Sequence, residues 1–509
     1  MPDRKHDYDI IILGGGSAGI VAGVMAGGLG MRVLLIEKGK MGGECLNTGC
    51  VPSKALLHAA KVAHTMRTAA QIGLPAATVS REDAAGALRH VRETIAAVRE
   101  ADATEQLLRD NGVEIRHGDA RFLYGHTLEM NGYALTAANF ILTTGSHPVV
   151  PDIAGLREAG FWTNQTVFDM EAVPESLLVI GGGPNGVEMA QAFARLGSRV
   201  TLVQKGDRLL PRDDSELTKE LEGHLRGEGI DIRLNAPVLA VRREDGRRVA
   251  TIRQGAGTSE VACDEVFVAV GRAPNVAGLN LEAAGVAYDA ERVTTDANLR
   301  TTAPHIYACG DLLGEYQFSH MAEHEAKIVV RNIVFPGRSR ETFRIDPWAT
   351  FTDPELAHLG LTEDEARARG IAYEVYAQPF AQNDRALTDN VPQGRVKVLA
   401  QGLTGKILGV HILGPSAGEL MQEWILAVQH GHSLRDIADM IHVYPTLSMA
   451  CQHAAQRWYE RQARQPAVEK ALDAYVNAIR PRQAALAWGA AGTALVGVAV
   501  GLARRRGKP

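Results

Sequence analysis

The stretch LGGGSAGIVAGVMAGGLGMRVLLIEKG (13–39) decides the fold, because the chain contains it twice. It realigns with IGGGPNGVEMAQAFARLGSRVTLVQKG (180–206) at a constant offset of 167 residues. Each copy opens with an apolar strand run, continues into a helix with small residues facing the strand, and closes on a second strand. That is a βαβ unit used twice. Gly14, Gly16 and Gly19 form the G-x-G-x-x-G pattern of the first copy, and Gly181, Gly183 and Gly186 that of the second. Glycine there permits a tight turn and lets backbone approach a pyrophosphate seated on the helix N-terminus. Glu37, 23 residues after Gly14, stands at the end of the next strand, placed to accept from a ribose hydroxyl. The matching place in the second copy holds Gln204, followed by Lys205 and Arg208. An amide with cations beside it tolerates a ribose 2′-phosphate that a carboxylate would repel. Lys38 holds the place of Lys205 in the first copy, so Lys205 also reads as a solvated strand end. The second site is expected to take NADPH in preference to NADH.

At 509 residues the chain exceeds one ordinary hydrophobic core, and about three domains are expected. A net charge of −5 gives no reason to expect a nucleic-acid partner. With five cysteines and an N-terminus without a signal-peptide pattern, the catalytic part is expected to work in a reducing cytoplasm, where a disulfide is more often catalytic than structural. Residues 81–110 read as one long helix with Val91, Ile95 and Val98 on a face. Strands are expected up to FILTTGS (140–146), at EVFVAVG (265–271) before GRAPN, and at IYACGD (306–311). Pro347 opens an α+β segment reaching about residue 465, and a charged helix follows. Ala484–Ala503 carries no charge and precedes Arg504, Arg505, Arg506 and Lys508, which suits a membrane association. Its eight alanines and four glycines make insertion marginal.

GGECLNTGCVPSK (42–54) follows the first βαβ unit directly. Five residues along a regular helix rise about 7.5 Å, too far for a disulfide, whose Cα atoms lie within about 7 Å. Asn47, Thr48 and Gly49 supply an irregular turn that would bring Cys45 and Cys50 together. Pro52 suits the first turn of a helix. The N-terminus of that helix and Lys54 would lower the pKa of a nearby thiol. A zinc site would need further Cys or His at metal spacing, and none is adjacent. His320 and His324 stand four apart without a third ligand, so no metal is expected there. Cys263 and Cys309 sit in apolar strand runs and read as core.

With these motifs in order, the chain resembles the FAD-dependent pyridine nucleotide–disulfide oxidoreductases, the family of glutathione reductase, dihydrolipoyl dehydrogenase and mercuric reductase. GGECLNTGCVPSK resembles their redox-disulfide motif; GGGPNGVE, GRAPN with Gly271, IYACGD and FTDPELAHLGLTEDEA (351–366) match in sequence. The resemblance covers about residues 7–465. It implies that FAD occupies the first site, that Cys50 faces the flavin as the charge-transfer thiol, and that Cys45 exchanges with substrate. It also implies that Lys54 pairs with Glu188 near flavin N5 and that Asp311 binds the ribityl chain. Gly118 in HGDARF and Gly145 in TTGS are similar to lesser FAD contacts. Segment 346–465 resembles the dimerisation domain, so each site should be completed by a partner subunit.

One departure matters. Thiol-reducing members of the family end in His-Pro-Thr with Glu five residues after the His; here the stretch is HVYPTLSMAC (442–451). Tyr444 stands at the base position and Met449 at that of its orienter. Tyrosine, with an ordinary pKa of about 10, is a poor proton shuttle for dithiols. Mercuric reductases resemble this chain in carrying Tyr there, but also carry a C-terminal cysteine pair, whereas this chain ends ARRRGKP. His442 reads as a structural histidine before it reads as a substitute base, and Cys451 as a packed thiol before a working one.

The expected architecture is α/β: two Rossmann-like dinucleotide-binding domains plus an α+β dimerisation domain. Residues 1–153 and 273–345 form the FAD domain, 154–272 the NAD(P) domain, 346–465 the dimerisation domain, and 466–509 a helix and apolar tail. The expected function is a homodimeric NAD(P)H oxidoreductase passing electrons through FAD and the Cys45–Cys50 disulfide. Its small-molecule acceptor would be a disulfide, another oxidised sulfur species or a soft metal ion. The alternatives are a dihydrolipoyl dehydrogenase and, outside catalysis, a flavin–thiol redox sensor.

Overall fold

The computed structural model describes residues 5–335 and 346–479; the tail expectations at 484–503 and beyond lie outside the described residues. Among the described residues no helix is long and apolar enough to cross a membrane. The chain divides into two compact units, Met1–Pro211 with Glu222–Phe343, and Arg212–Leu221 with Arg344–Pro509.

In the first unit, β1 (Tyr8–Leu13) leads through α1 (Ser17–Gly28) to β2 (Val33–Glu37). The chain then runs through α2 (Gly43–Asn47) and α3 (Cys50–Thr68) before returning to the sheet. β2, β1 and the C-terminal half of Tyr133–Leu142 are parallel, flanked by Val113–His117 and Ile306–Ala308. The run IIIL is buried throughout because a parallel strand is covered on both faces. α1 can lie against the strands because its inward residues are Ala18, Ala22, Gly23, Ala26 and Gly27. A second parallel sheet follows, in the order Asp231–Arg233, Arg199–Val203, Ser176–Ile180, Glu265–Val268. It carries the second βαβ helix, Pro184–Arg195.

The helix expected over 81–110 is two helices. Arg81–Asp102 ends at Ala103, whose φ of 38° is left-handed, and Thr104–Asp110 starts anew. The turn aims Leu108, fully buried, at Gly23 of α1, where no side chain stands in its way. Of the expected face, Val91 is buried while Ile95 and Val98 are half-buried.

The second unit is built on a five-stranded antiparallel sheet in the order Trp348–Thr350, Glu355–Gly360, Ile407–Gly414, Arg395–Ala400, Glu374–Pro379. Helices Ala417–Gln429 and Met449–Ala463 share its apolar core around Trp424. The sheet also carries a buried cation. Lys397, 1% exposed, is held by Asp214 (3.0 Å), Glu216 (2.9 Å) and Glu363 (2.7 Å). Three carboxylates around one ammonium explain both its burial and its raised pKa. Two of them come from Arg212–Leu221, so this short stretch belongs to the second unit.

Candidate functional site

The first glycine motif turns from β1 into α1 as its residue types require. Gly14 has φ of +110°, and a Cβ on Gly19 would run into the carbonyl oxygen of Gly14. Glu37 closes the turn: one carboxylate oxygen accepts from the amide of Gly15 (2.6 Å), the other from that of Gly39 (2.5 Å). Beside the motif lies a cavity of about 720 Å³. Gly14, Gly16, Glu37, Gly118, Gly145 and Asp311 line it, whereas Gly19 serves the turn itself. A backbone cradle at a helix N-terminus, a carboxylate at the strand end and a long cavity fit a dinucleotide such as FAD.

The thiol motif opens onto this cavity through Cys45, whereas Cys50, the thiol expected to face the flavin, is exposed and is not among the residues lining it. α2 stops at Asn47, whose amide donates to the Gly43 carbonyl (2.7 Å); Thr48 and Gly49 break the helix, and α3 starts at Cys50. The irregular turn therefore falls where the residue types place it, with Pro52 in the first turn of α3. Cys45 and Cys50 are both free thiols. Cys50 is pulled down to about 6 by a hydrogen bond from the Cys45 thiol, by Ser319, whose hydroxyl is 3.5 Å away, and by the Lys54 charge. Cys45 is pushed up by the same shared bond and by burial. The pair is thus polarised into one thiolate and one thiol. Lys54 Nζ donates to Glu188 Oε2 across 2.9 Å, and the Glu188 side chain is 3% exposed. That bond joins α3 to the helix of the second βαβ unit.

The second glycine motif reproduces the first. Gly181 has φ of +116°, and a Cβ on Gly186 would strike the Gly181 carbonyl. Gln204 Oε1 accepts from the amide of Gly182 (3.2 Å), as Glu37 does from Gly15. Gly183 is the N-cap of Pro184–Arg195, and nothing lies within 4 Å of a Cβ built on it. Lys205 is exposed, Arg208 donates to the Pro211 carbonyl (2.6 Å), and Gly271 turns with φ of +143°.

Tyr444 lies in the second unit and is 65% exposed. Its hydroxyl donates to Asp384 Oδ2 across 2.9 Å, and that carboxylate raises the phenol further above its ordinary value. Met449 starts the following helix. His442 has a side chain only 2% exposed, with Nε2 3.0 Å from Glu423 Oε2 and Nδ1 3.2 Å from the Met440 carbonyl. Both ring nitrogens are engaged, and the Glu423 carboxylate raises its pKa. Cys451 is fully buried, as are Cys263 and Cys309, although Cys309 also lines the cavity.

Several residues of the site carried no signal on their own. Ser319 contacts Cys50 from the helix Ser319–Val334, and Asp384 fixes the Tyr444 hydroxyl. Glu44 and Arg272 pair across 2.5 Å. Both sit inside motifs, one beside Cys45 and one in GRAPN, which was the available hint.

Two dinucleotide cradles flanking a polarised thiol pair define a flavin-dependent oxidoreductase that draws on a nicotinamide cofactor. Family models agree: residues 8–326 match pyridine nucleotide-disulphide oxidoreductase, and residues 346–455 match its dimerisation domain. A dihydrolipoyl dehydrogenase of Thermus scotoductus is 36% identical over 467 residues, covering 89% of this chain and 98% of that protein. A mercuric reductase of Streptomyces lividans is 35% identical over 462 residues, covering 90% and 97%. Among solved structures, the HOCl-induced flavoprotein disulfide reductase RclA from Escherichia coli matches with a TM-score of 0.78 and 28% identity, over 88% of this chain and 99% of that one. Its Cu(II) complex matches equally. The chain belongs to the pyridine nucleotide–disulfide oxidoreductase family: an FAD-dependent enzyme with a disulfide redox centre, carrying the family's dimerisation domain.

Proposed function

We propose that this enzyme uses NADPH to reduce a soft metal ion, or an oxidised sulfur species that needs no proton shuttle, at the Cys45–Cys50 pair. One observation carries the reading: the base position holds Tyr444, whose hydroxyl is already given to Asp384, and no carboxylate stands at Met449. Releasing a thiol from a disulfide substrate needs a proton delivered near neutral pH, and such general catalysis is worth about 10²–10⁴-fold. A soft cation such as Hg(II) or Cu(II) needs thiolate ligands instead. Bound FAD supplies the two-electron relay between nicotinamide and disulfide. The Cys45 thiol, Ser319 and Lys54 together favour Cys50 as the thiolate; Cys45, half-buried, is the thiol that exchanges with the acceptor. Tyr444, from the second subunit of the dimer, faces that exchange and orients the bound thiolate. Gln204 and Lys205 admit the 2′-phosphate of NADPH.

The relatives named mercuric reductase and the Cu(II) complex of the structural neighbour support a metal acceptor. The relatives named dihydrolipoyl dehydrogenase support the second reading, oxidation of a dithiol, which the residues at 444 and 449 oppose. Following NADPH oxidation with Hg(II), Cu(II), lipoamide and glutathione disulfide separates them. Sustained turnover with a metal ion and disulfide rates at least about 100-fold lower are expected. Rapid lipoamide turnover overturns the proposal, and a single turnover with every acceptor indicates a sensor.

A further inference from the structure

A line of polar contacts runs from Glu44 on α2 through Arg272 to Ser146 and Asp311 and serves none of the steps above. Glu44 precedes Cys45 on α2. Its Oε2 accepts from Arg272 Nη2 (2.5 Å) and its Oε1 from Asn164 Nδ2 (2.8 Å). Burial raises its carboxyl, and the Arg272 charge opposes that. Arg272, 13% exposed, also donates from Nε to Ser146 Oγ (2.7 Å). The same Nε stands 3.7 Å from Asp311 Oδ2, which accepts from Ser146 Oγ at 2.7 Å. One guanidinium thus serves two carboxylates, hydrogen-bonded to Glu44 and in a longer ion pair with Asp311. Glu44, Ser146 and Asp311 all line the cavity.

We propose that Glu44 is a positioning residue for the flavin seat: by holding Arg272 it keeps the guanidinium from closing to hydrogen-bond distance of Asp311 and leaves that carboxylate open to the cofactor. Arg272 and Asp311 attract each other across 3.7 Å, with the guanidinium 13% and the carboxylate 25% exposed, so solvent screens the pair only in part. Once Glu44 loses its charge, Arg272 closes onto Asp311 and competes with the ribityl chain. This holds whichever acceptor the enzyme uses, and rests only on Asp311 serving FAD.

The test is the rate of FAD release from the full-length holoenzyme, followed by flavin fluorescence. Glu44→Gln should speed release about tenfold, the scale of one charge-assisted contact diverted. Adding Arg272→Gln should restore the rate to within about threefold of wild type, because the competitor is gone. A merely structural role for the ion pair predicts the opposite, a double variant at least as leaky as the single. Glu44→Gln releasing FAD at the wild-type rate, or a double variant no better than the single, overturns the proposal. If Glu44→Gln purifies without flavin, the double variant decides: retained flavin supports the proposal, and loss there too overturns it. Asp311→Asn tests the premise separately. Wild-type release from that variant removes the flavin-seat reading itself, whereas faster release with an indifferent Glu44→Gln removes only the role of Glu44.

Discussion

The hydroxyl of Tyr444 donates to Asp384 Oδ2 across 2.9 Å. At the position where a thiol reductase of this family keeps a proton-accepting histidine, this chain therefore presents a phenol held as a donor. The carboxylate beside it raises the phenol pKa, so Tyr444 stays protonated through the physiological range. On the proposed function it would orient a thiolate rather than take a proton from one.

The thiol pair makes a prediction about pH. Cys50 is lowered to about 6, so in reduced holoenzyme its thiolate should persist above about pH 6 and be lost below it. Long-wavelength thiolate-to-flavin absorbance should titrate accordingly. Cys50→Ser should abolish the band. Cys45→Ser should keep it, since a serine hydroxyl still donates. Cys45→Ala and Lys54→Met should each move the midpoint upward, because both remove a group that favours the thiolate. A band surviving in Cys50→Ser reverses the assignment of the two thiols.

Nicotinamide preference should follow position 204. Gln204→Glu installs the carboxylate that Glu37 provides in the first cradle, where it would bind a ribose 2′-hydroxyl and repel a 2′-phosphate. Selectivity, as the ratio of kcat/KM for NADPH to that for NADH, should fall by about tenfold or more. A wild type that already prefers NADH contradicts the assignment.

How much of this was legible depended on whether a feature is set by near neighbours. Both glycine cradles and the break between Cys45 and Cys50 could be read from residue types, because tight turns and close approaches restrict which residues fit. Contacts made across the chain could not. Glu44 and Arg272 are 228 residues apart, and Cys50 and Ser319 are 269 apart. The helix break at Ala103 was hidden for a similar reason: it serves the packing of Leu108 against α1, which periodicity within 81–110 does not reveal. The attachment of Arg212–Leu221 to the second unit rests on Lys397, a lysine inside a strand two of whose partners, Asp214 and Glu216, lie some 180 residues away.

That lysine supports a stability prediction. Lys397→Met should destabilise the protein by about 3–5 kcal/mol, because it leaves Asp214, 1% exposed, without its counter-charge. Denaturant unfolding should show it, while FAD retention at low denaturant stays unchanged. A loss under about 1 kcal/mol would mean that water reaches the carboxylates.

On the proposed function, the chemistry at position 444 turns this enzyme away from dithiol and disulfide substrates. The direct measurement is steady-state turnover with lipoamide, glutathione disulfide, Hg(II) and Cu(II), before and after Tyr444→His combined with Met449→Glu. Disulfide turnover should be slow in the wild type and rise in the double variant, within the roughly 10²–10⁴-fold that a general base contributes. Flavin reduction by NADPH should be equally fast in both, and metal reduction should not rise. Efficient lipoamide or glutathione disulfide turnover by the wild type, or a double variant indifferent to disulfides, would contradict the proposed function.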